Sequence, residues 1–263
     1  MTDRIEQAAR RNFDDQKNHG QMVRLSSEIR PRSLEEAYRV QDRLIELYRE
    51  AGMGDIVGWK IALTSAVQQK KFGVDHPFAG AMMASRIKPN GCELRFSDFA
   101  QIGVESEIVV KLARDLPTRP KLYTRAEVTD AVSACMAGIE VADLRNVVLS
   151  EIDVTVIVSD NAMNYGCIMA PPVADWRKLD LAALTCKMIV NGSVVGEGHG
   201  RDALGHPMEA LAWLANHLIQ RGRHLKAGDL VMTGSLVVNK LLAKGDEMAT
   251  EIEGLGTARL KVL

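Results

Sequence analysis

The chain has 263 residues, of which 46% are hydrophobic and 25% charged, which is enough apolar content to bury one large core or two small ones. A formal net charge of -1, with basic residues scattered along the chain, offers no field for a nucleic-acid backbone. No run of about 18 apolar residues marks a membrane span, and the opening MTDRIEQAARRNFDDQ reads as charged helix rather than as a leader with an apolar centre, so a cytoplasmic location is expected.

The first 54 residues read as a helical cap. Ser33 and Glu36 have capping-box spacing, and Leu34, Ala37, Tyr38, Leu44, Ile45 and Tyr48 fall on one helical face before Gly52. From Asp55 the texture changes, because IVGWKIALT alternates as a strand does, and residues 55–263 are expected to form one β-rich domain. Thr124 and Glu127 repeat the capping spacing and predict a helix running to about Met136, followed by a strand at GIEVAD. In KMIVNGSVV, Asn191-Gly192 between alternating segments predicts a hairpin on a type I′ turn. Pro207 opens a helix with Leu211, Leu214, Ala215 and Leu218 at helical spacing, closed by Gly222. The tail returns to short strands, LVMTGS, EMATEIE and TARLKVL, joined by AGD, KGD and GLG turns. The economical fold class is α+β.

Two features stand out chemically. VESEIVV puts Glu105 and Glu107 on one side of a strand, about 7 Å apart by the strand rise. Such a pair either decorates a wet edge or faces a positive charge. Glu140 in ACMAGIEVADLR is the next carboxylate in an apolar setting, and three carboxylates make a hard oxygen site suited to Mg²⁺ or Mn²⁺. Lys60 shares a strand face with Gly58, Ala62 and Thr64, so it points either to solvent or into a cavity. The histidines have no zinc spacing, and Cys92, Cys135, Cys167 and Cys186 are too dispersed for a redox pair.

GWKIALTS, FGVDHPFAG, VESEIVVKLARDLP, GIEVADLR, SDNAMNYG, GEGHGRDALGHPMEALAWLANHL, LKAGDLVMTGS and EIEGLG, in this order, resemble the 2-keto-4-pentenoate hydratase and 4-oxalocrotonate decarboxylase family of the fumarylacetoacetate hydrolase superfamily. The likeness runs from about Glu35 to the C-terminus. It implies a mixed β-roll with peripheral helices, and Mg²⁺ or Mn²⁺ held at Glu105, Glu107 and Glu140. It also implies Lys60 as a catalytic group and substrate contacts at Ser65, Asn161, Thr233 and Ser235, with Asp160 beside them. The implied substrate is a 2-oxo acid or 2-hydroxydienoate. The implied assembly is a homo-oligomer, with association to a related decarboxylase or an aldolase within the family's range. The activity so implied is hydration of a 2-hydroxy-2,4-dienoate; the alternatives are decarboxylation of a 4-oxalocrotonate-like diacid, acylpyruvate cleavage, or a noncatalytic partner role.

The chain also departs from that pattern. Phe78 stands where the hydratases carry an acid, D-N-A-M stands for the usual D-N-A-S so that Met163 and Tyr165 reshape the pocket, and Arg201, where small residues are usual, either binds a second substrate carboxylate or is simply exposed. Asp75 lies near Phe78, His206 precedes the helix at Pro207, and Asp143 follows Glu140 on its strand.

Overall fold

The computed structural model describes residues 3–263; Met1 and Thr2, the first two positions of the expected helical cap, lie outside the described residues. In chain order the elements begin with α1 (Arg4–Lys17), α2 (Leu34–Glu50), β1 (Ile56–Ala62), α3 (Ala66–Phe72), β2 (Phe78–Met83), β3 (Ile87–Lys88), β4 (Cys92–Leu94) and β5 (Ile102–Leu112). They continue through α4 (Arg125–Thr129), β6 (Val132–Asp143), α5 (Val154–Ser159), β7 (Asn164–Met169), β8 (Thr185–Val190) and β9 (Ser193–His199). The last are α6 (Pro207–Gln220), β10 (Leu230–Ser235), β11 (Lys240–Leu241), β12 (Glu247–Ile252) and β13 (Gly256–Val262).

The strands form an eight-stranded sheet, ordered β2-β1-β10-β5-β6-β7-β3 with β11 on β5, and a five-stranded sheet ordered β4-β13-β12-β8-β9. Strand alternation sorts the long central pair, β5 and β6. Ile108 and Val110 of β5, with Ile139 and Val141 of β6, join Met248, Ile252, Leu260 and Val262 of the smaller sheet in one buried core. A buried hydroxyl pair, Ser106 with Thr250 at 2.7 Å, ties the two layers together. The odd-numbered residues of β5 therefore face away from the smaller sheet.

Ser33 caps α2 by accepting the Glu36 N–H, and the helix buries the face expected of it, from Ala37 to Tyr48. Buried Gln41 then donates to the carbonyls of Ala79 and Val158, fastening α2 to β2 and α5. Asn12 of α1 donates to the Ser159 carbonyl. The hairpin between β8 and β9 turns at Asn191 and Gly192, with φ of 51° and 78°, as a type I′ turn requires. Thr124 and Glu127 form a complete capping box, but the helix they open ends at Thr129, and β6 begins at Val132 instead of near Gly138. The run VSACMAG is short and apolar except for Ser133, so its periodicity does not separate helix from strand; the long partner β5, paired from Ile102 to Leu112, decides it.

Candidate active site

Pairing in the larger sheet gathers the charged residues. Glu105 lies directly opposite Glu140, and Glu107 opposite Gly138. Next door, β10 pairs with β5 in register at Met232 and Val109, then bulges before Ser235 meets Glu107. The bulge carries Gly234 at φ 114°, where a Cβ would lie 2.3 Å from the Thr64 hydroxyl oxygen. That conformation turns the Gly234 N–H onto Glu107 Oε2 at 2.8 Å. The Thr233 hydroxyl donates to the Ile108 carbonyl at 2.9 Å, filling the interrupted ladder. Lys60, on β1 beyond β10, pairs with Met232 and Gly80 and points the same way as the glutamates. It is only 5% exposed, so its ammonium is not at the surface.

Carboxylate oxygens of Glu105, Glu107 and Glu140 lie within 4.8 Å of one another. Lys60 Nζ sits 3.1 Å from Glu140 Oε1 and donates to the Ala162 carbonyl at 3.2 Å. That carbonyl belongs to a turn in which Asn161, Ala162 and Met163 all have φ between 53° and 61°, a run that L-residues rarely adopt. Asn164 Nδ2 donates to Glu140 Oε1 at 2.9 Å, and Asn239 Nδ2 to Glu105 Oε1 at 3.4 Å. Burial and the neighbouring carboxylates push the carboxyl groups of Glu105 and Glu107 above their ordinary range, Glu107 further. Burial pulls the Lys60 ammonium down, but Glu140, Glu105 and Glu107 outweigh it and hold it above the usual lysine value.

The donor set fits a hard divalent cation. Three carboxylates face one ammonium, so their full ionisation leaves two negative charges that only a cation can answer. Glu107 Oε1 and Glu140 Oε2 are buried without a hydrogen-bond partner. An ionised carboxylate left so in an apolar interior costs several kcal/mol, roughly. All three donors are oxygens, which suits Mg²⁺ or Mn²⁺ better than a thiophilic ion.

A cavity of about 670 Å³ opens on this cluster, with Lys60, Glu105 and Glu140 in its wall. Ser65 and Ser235 line it as well. Ser65 also caps α3 by accepting the Gln68 N–H, and the Ser235 hydroxyl donates to the Val237 carbonyl. Asn161 and Thr233 are not in that wall. The Asn161 side chain bonds both backbone groups of Ala81 and borders a separate polar cavity of about 250 Å³, which Asp160, Arg145 and Tyr165 share. Met163 borders both cavities.

Phe78 is fully buried among Ala37, Tyr38 and Val158, so the position where the resemblance leads one to expect an acid is spent on packing. Arg201 is exposed and does not line the larger cavity, and Asp75 is exposed. His206 is the N-cap of α6, its Nδ1 accepting from the Met208 N–H. Asp143 anchors a loop by accepting from the backbone of Ala100, Gln101 and Arg145. Asn164, Asn239 and the Gly234 N–H were not found from the sequence; single residues reached through long-range pairing leave no periodic signal. Asp202, another carboxylate of the cavity wall, accepts from the His199 N–H at 2.7 Å.

Two packed sheets bearing a largely buried three-carboxylate cluster beside a cavity define an α+β domain whose donor set could hold a divalent cation. Residues 75–263 match the model described as fumarylacetoacetate (FAA) hydrolase C-terminal, and the chain belongs to that family. Over 225 residues it is 34% identical to a 2-keto-4-pentenoate hydratase of Burkholderia vietnamiensis, covering 85% of this chain and 84% of that protein. Over 222 residues it is 32% identical to a 4-oxalocrotonate decarboxylase of Pseudomonas putida, covering 84% and 82%. A solved structure of 4-oxalocrotonate decarboxylase from Pseudomonas putida, complexed with magnesium and adipate, aligns with a TM-score of 0.91 at 28% identity, covering 98% of this chain and 97% of that one. The α+β fold class and the family resemblance read from the sequence are thereby confirmed. Among the described residues no helix is long and apolar enough to cross a membrane.

Proposed function

We propose that the chain is a lyase, a metal-dependent hydratase that adds water to a 2-hydroxy-2,4-dienoate to give a 4-hydroxy-2-oxo acid in the breakdown of aromatic compounds. One observation carries the reading: two buried, partnerless carboxylate oxygens in a three-glutamate cluster, with a buried lysine against it at the wall of a cavity. Likeness to proteins named 2-keto-4-pentenoate hydratase and 2-hydroxyhexa-2,4-dienoate hydratase supports the reaction. The proposed cofactor is Mg²⁺ or Mn²⁺, held by Glu105, Glu107 and Glu140. When bound, it supplies a Lewis acid for the substrate's carboxylate and 2-oxygen, where enolate charge develops.

The chain's own residues do the rest. Lys60 is the catalytic group, holding or moving a proton at the substrate's 2-oxygen, and Glu140 beside it favours the charged ammonium. Ser65 accepts one backbone N–H and has its own hydroxyl proton to offer the substrate carboxylate. Ser235, whose proton is used by the Val237 carbonyl, is left to accept a hydrogen bond. Asn161 and Thr233 hold the turn and the bulge whose backbone contacts Lys60 and Glu107, and so support binding indirectly. A homo-oligomer in the cytoplasm completes the proposal.

The test is the ultraviolet absorbance of freshly generated 2-hydroxypenta-2,4-dienoate with purified protein and Mg²⁺, with product identification. The expected result is loss of the dienol band with 4-hydroxy-2-oxopentanoate formed, and neither with Glu107→Ala. The second reading, a decarboxylase of a 4-oxalocrotonate-like diacid, is favoured by buried Phe78 and by the TM-score of 0.91. Release of CO₂ from the diacid without hydration of the dienoate would select it.

A further inference from the structure

The cavity's shape and lining go beyond the reaction class. At about 670 Å³ it falls within the range that holds drug-sized ligands, roughly 300–1,000 Å³, and well above what a five-carbon acid fills. Lys60, Glu105 and Glu140 form its charged cluster, Lys71 and Asp202 are its other charged residues, and Phe72, Val147, Leu149, Leu236, Val238 and Leu241 give it a large apolar share. Leu149, Leu241 and Val238, all in that wall, keep 41%, 49% and 85% of their surface exposed. Large apolar side chains left wet beside a cavity mark a place that something apolar covers. Among the described residues of the wall the cations are Lys60, engaged with Glu140, and Lys71, whose exposed and hydrated ammonium offers little to an anion. Arg201 is outside the wall.

We propose that the substrate carries an apolar chain beyond its 2-oxo acid head, longer than that of pentadienoate, and no carboxylate at the far end. The head binds at the Lys60 and glutamate cluster, and the tail runs along Val147, Leu149 and Leu236 to cover Val238 and Leu241. A distal carboxylate on that path loses water without gaining a buried cation to answer its charge. This inference rests on the proposed reading of the cluster as the site for a 2-oxo acid.

The experiment is calorimetric titration of the full chain, in Mg²⁺, with pyruvate, 2-oxohexanoate, 2-oxooctanoate and 2-oxohexanedioate. Expected are Mg²⁺-dependent binding of pyruvate, an affinity gain of about three- to fourfold per added methylene up to the length of the wall, and 2-oxohexanedioate at least tenfold weaker than 2-oxohexanoate. Leu149→Arg, at an exposed position where folding is not at stake, should reverse the order of the last two. Affinity independent of chain length with pyruvate still bound would overturn the inference and leave the reading of the cluster intact. So would tighter binding of 2-oxohexanedioate that is lost in Lys71→Met, or a flat series in a protein whose copies associate through Val238 and Leu241. Absence of Mg²⁺-dependent binding for every acid would sink both.

Discussion

Among the described residues two groups of charges lie in the interior, and they are built on opposite plans. Arg145 and Asp160, each 3% exposed, meet at 2.6 Å, and Asp160 accepts a further bond from Gln16 at 3.0 Å. One positive charge answers one negative charge. In the cluster of Glu105, Glu107 and Glu140 the single ammonium of Lys60 faces three carboxylates, and two oxygens have no partner. Buried charge that the chain balances by itself behaves as framework. Buried charge left in excess marks where something from outside must enter.

Substitutions should separate the two plans, the largest effect coming from the unbalanced group. Glu107→Ala should abolish hydration, a loss of at least about a thousandfold given what a positioned cation contributes to charge stabilisation, and should remove Mg²⁺ binding in calorimetry. Its stability in chelator should match or exceed that of the parent, because repulsion is relieved. Lys60→Met should lower kcat by roughly a hundred- to ten-thousandfold, the usual range for a lost proton carrier, while Mg²⁺ still binds. An equal loss of metal would make Lys60 a purely structural counter-charge.

Arg145→Met should behave in the contrary manner, leaving Asp160 buried without its cation and destabilising the fold by about 3–5 kcal/mol in denaturant titration. Mg²⁺ affinity in the fraction that remains folded should change little. Asn164→Ala and Asn239→Ala remove side chains that orient Glu140 and Glu105, and each should weaken metal affinity about 10–100-fold.

The smallest effect is one of pH. His217 stacks on Trp213 at 4.8 Å, with Tyr38 on another side and Arg221 and His76 acting on it electrostatically. Burial first, then those cations, lowers its pKa from 6.5 to about 4. Above 6.5 the ring is neutral in both folded and unfolded chains. As pH falls from there towards 4 the unfolded chain binds a proton that the folded one refuses, so stability is lost across that window, by about 1–3 kcal/mol. His217→Phe keeps the stack and should flatten the curve; an unchanged slope in chemical denaturation at pH 4.5 and 7.5 would assign the loss elsewhere.

The sequence revealed the residues whose signal is periodic or local. Alternation placed Glu105 and Glu107 on one face and put Lys60 opposite Trp59 and Ile61, and both Trp59 and Ile61 are buried in the core. Ser33, Thr124 and the Asn191-Gly192 turn were legible for the same reason. What escaped was the set of groups that hold the cluster, since Gly234, Asn164 and Asn239 reach it only after β10 bulges, β6 and β7 pair, and the segment after Ser235 crosses β5. The end of α4 was misread because VSACMAG carries hydrophobicity without a period. Phe78 was visible as a departure, but that it serves a core with Tyr38 and Val158 required the tertiary fold.

In β5 the even-numbered Ser106, Ile108 and Val110 build the interior, and the odd-numbered Glu105 and Glu107 build the proposed site. Both duties are written in one two-residue phase. Substitution can alter either set while leaving the other alone, but inserting or deleting one residue within the strand would turn glutamates towards Thr250 and isoleucine towards Lys60. The catalytic and folding identities of this strand are therefore inherited together, and variation in its length is closed to the chain where variation in its composition is not.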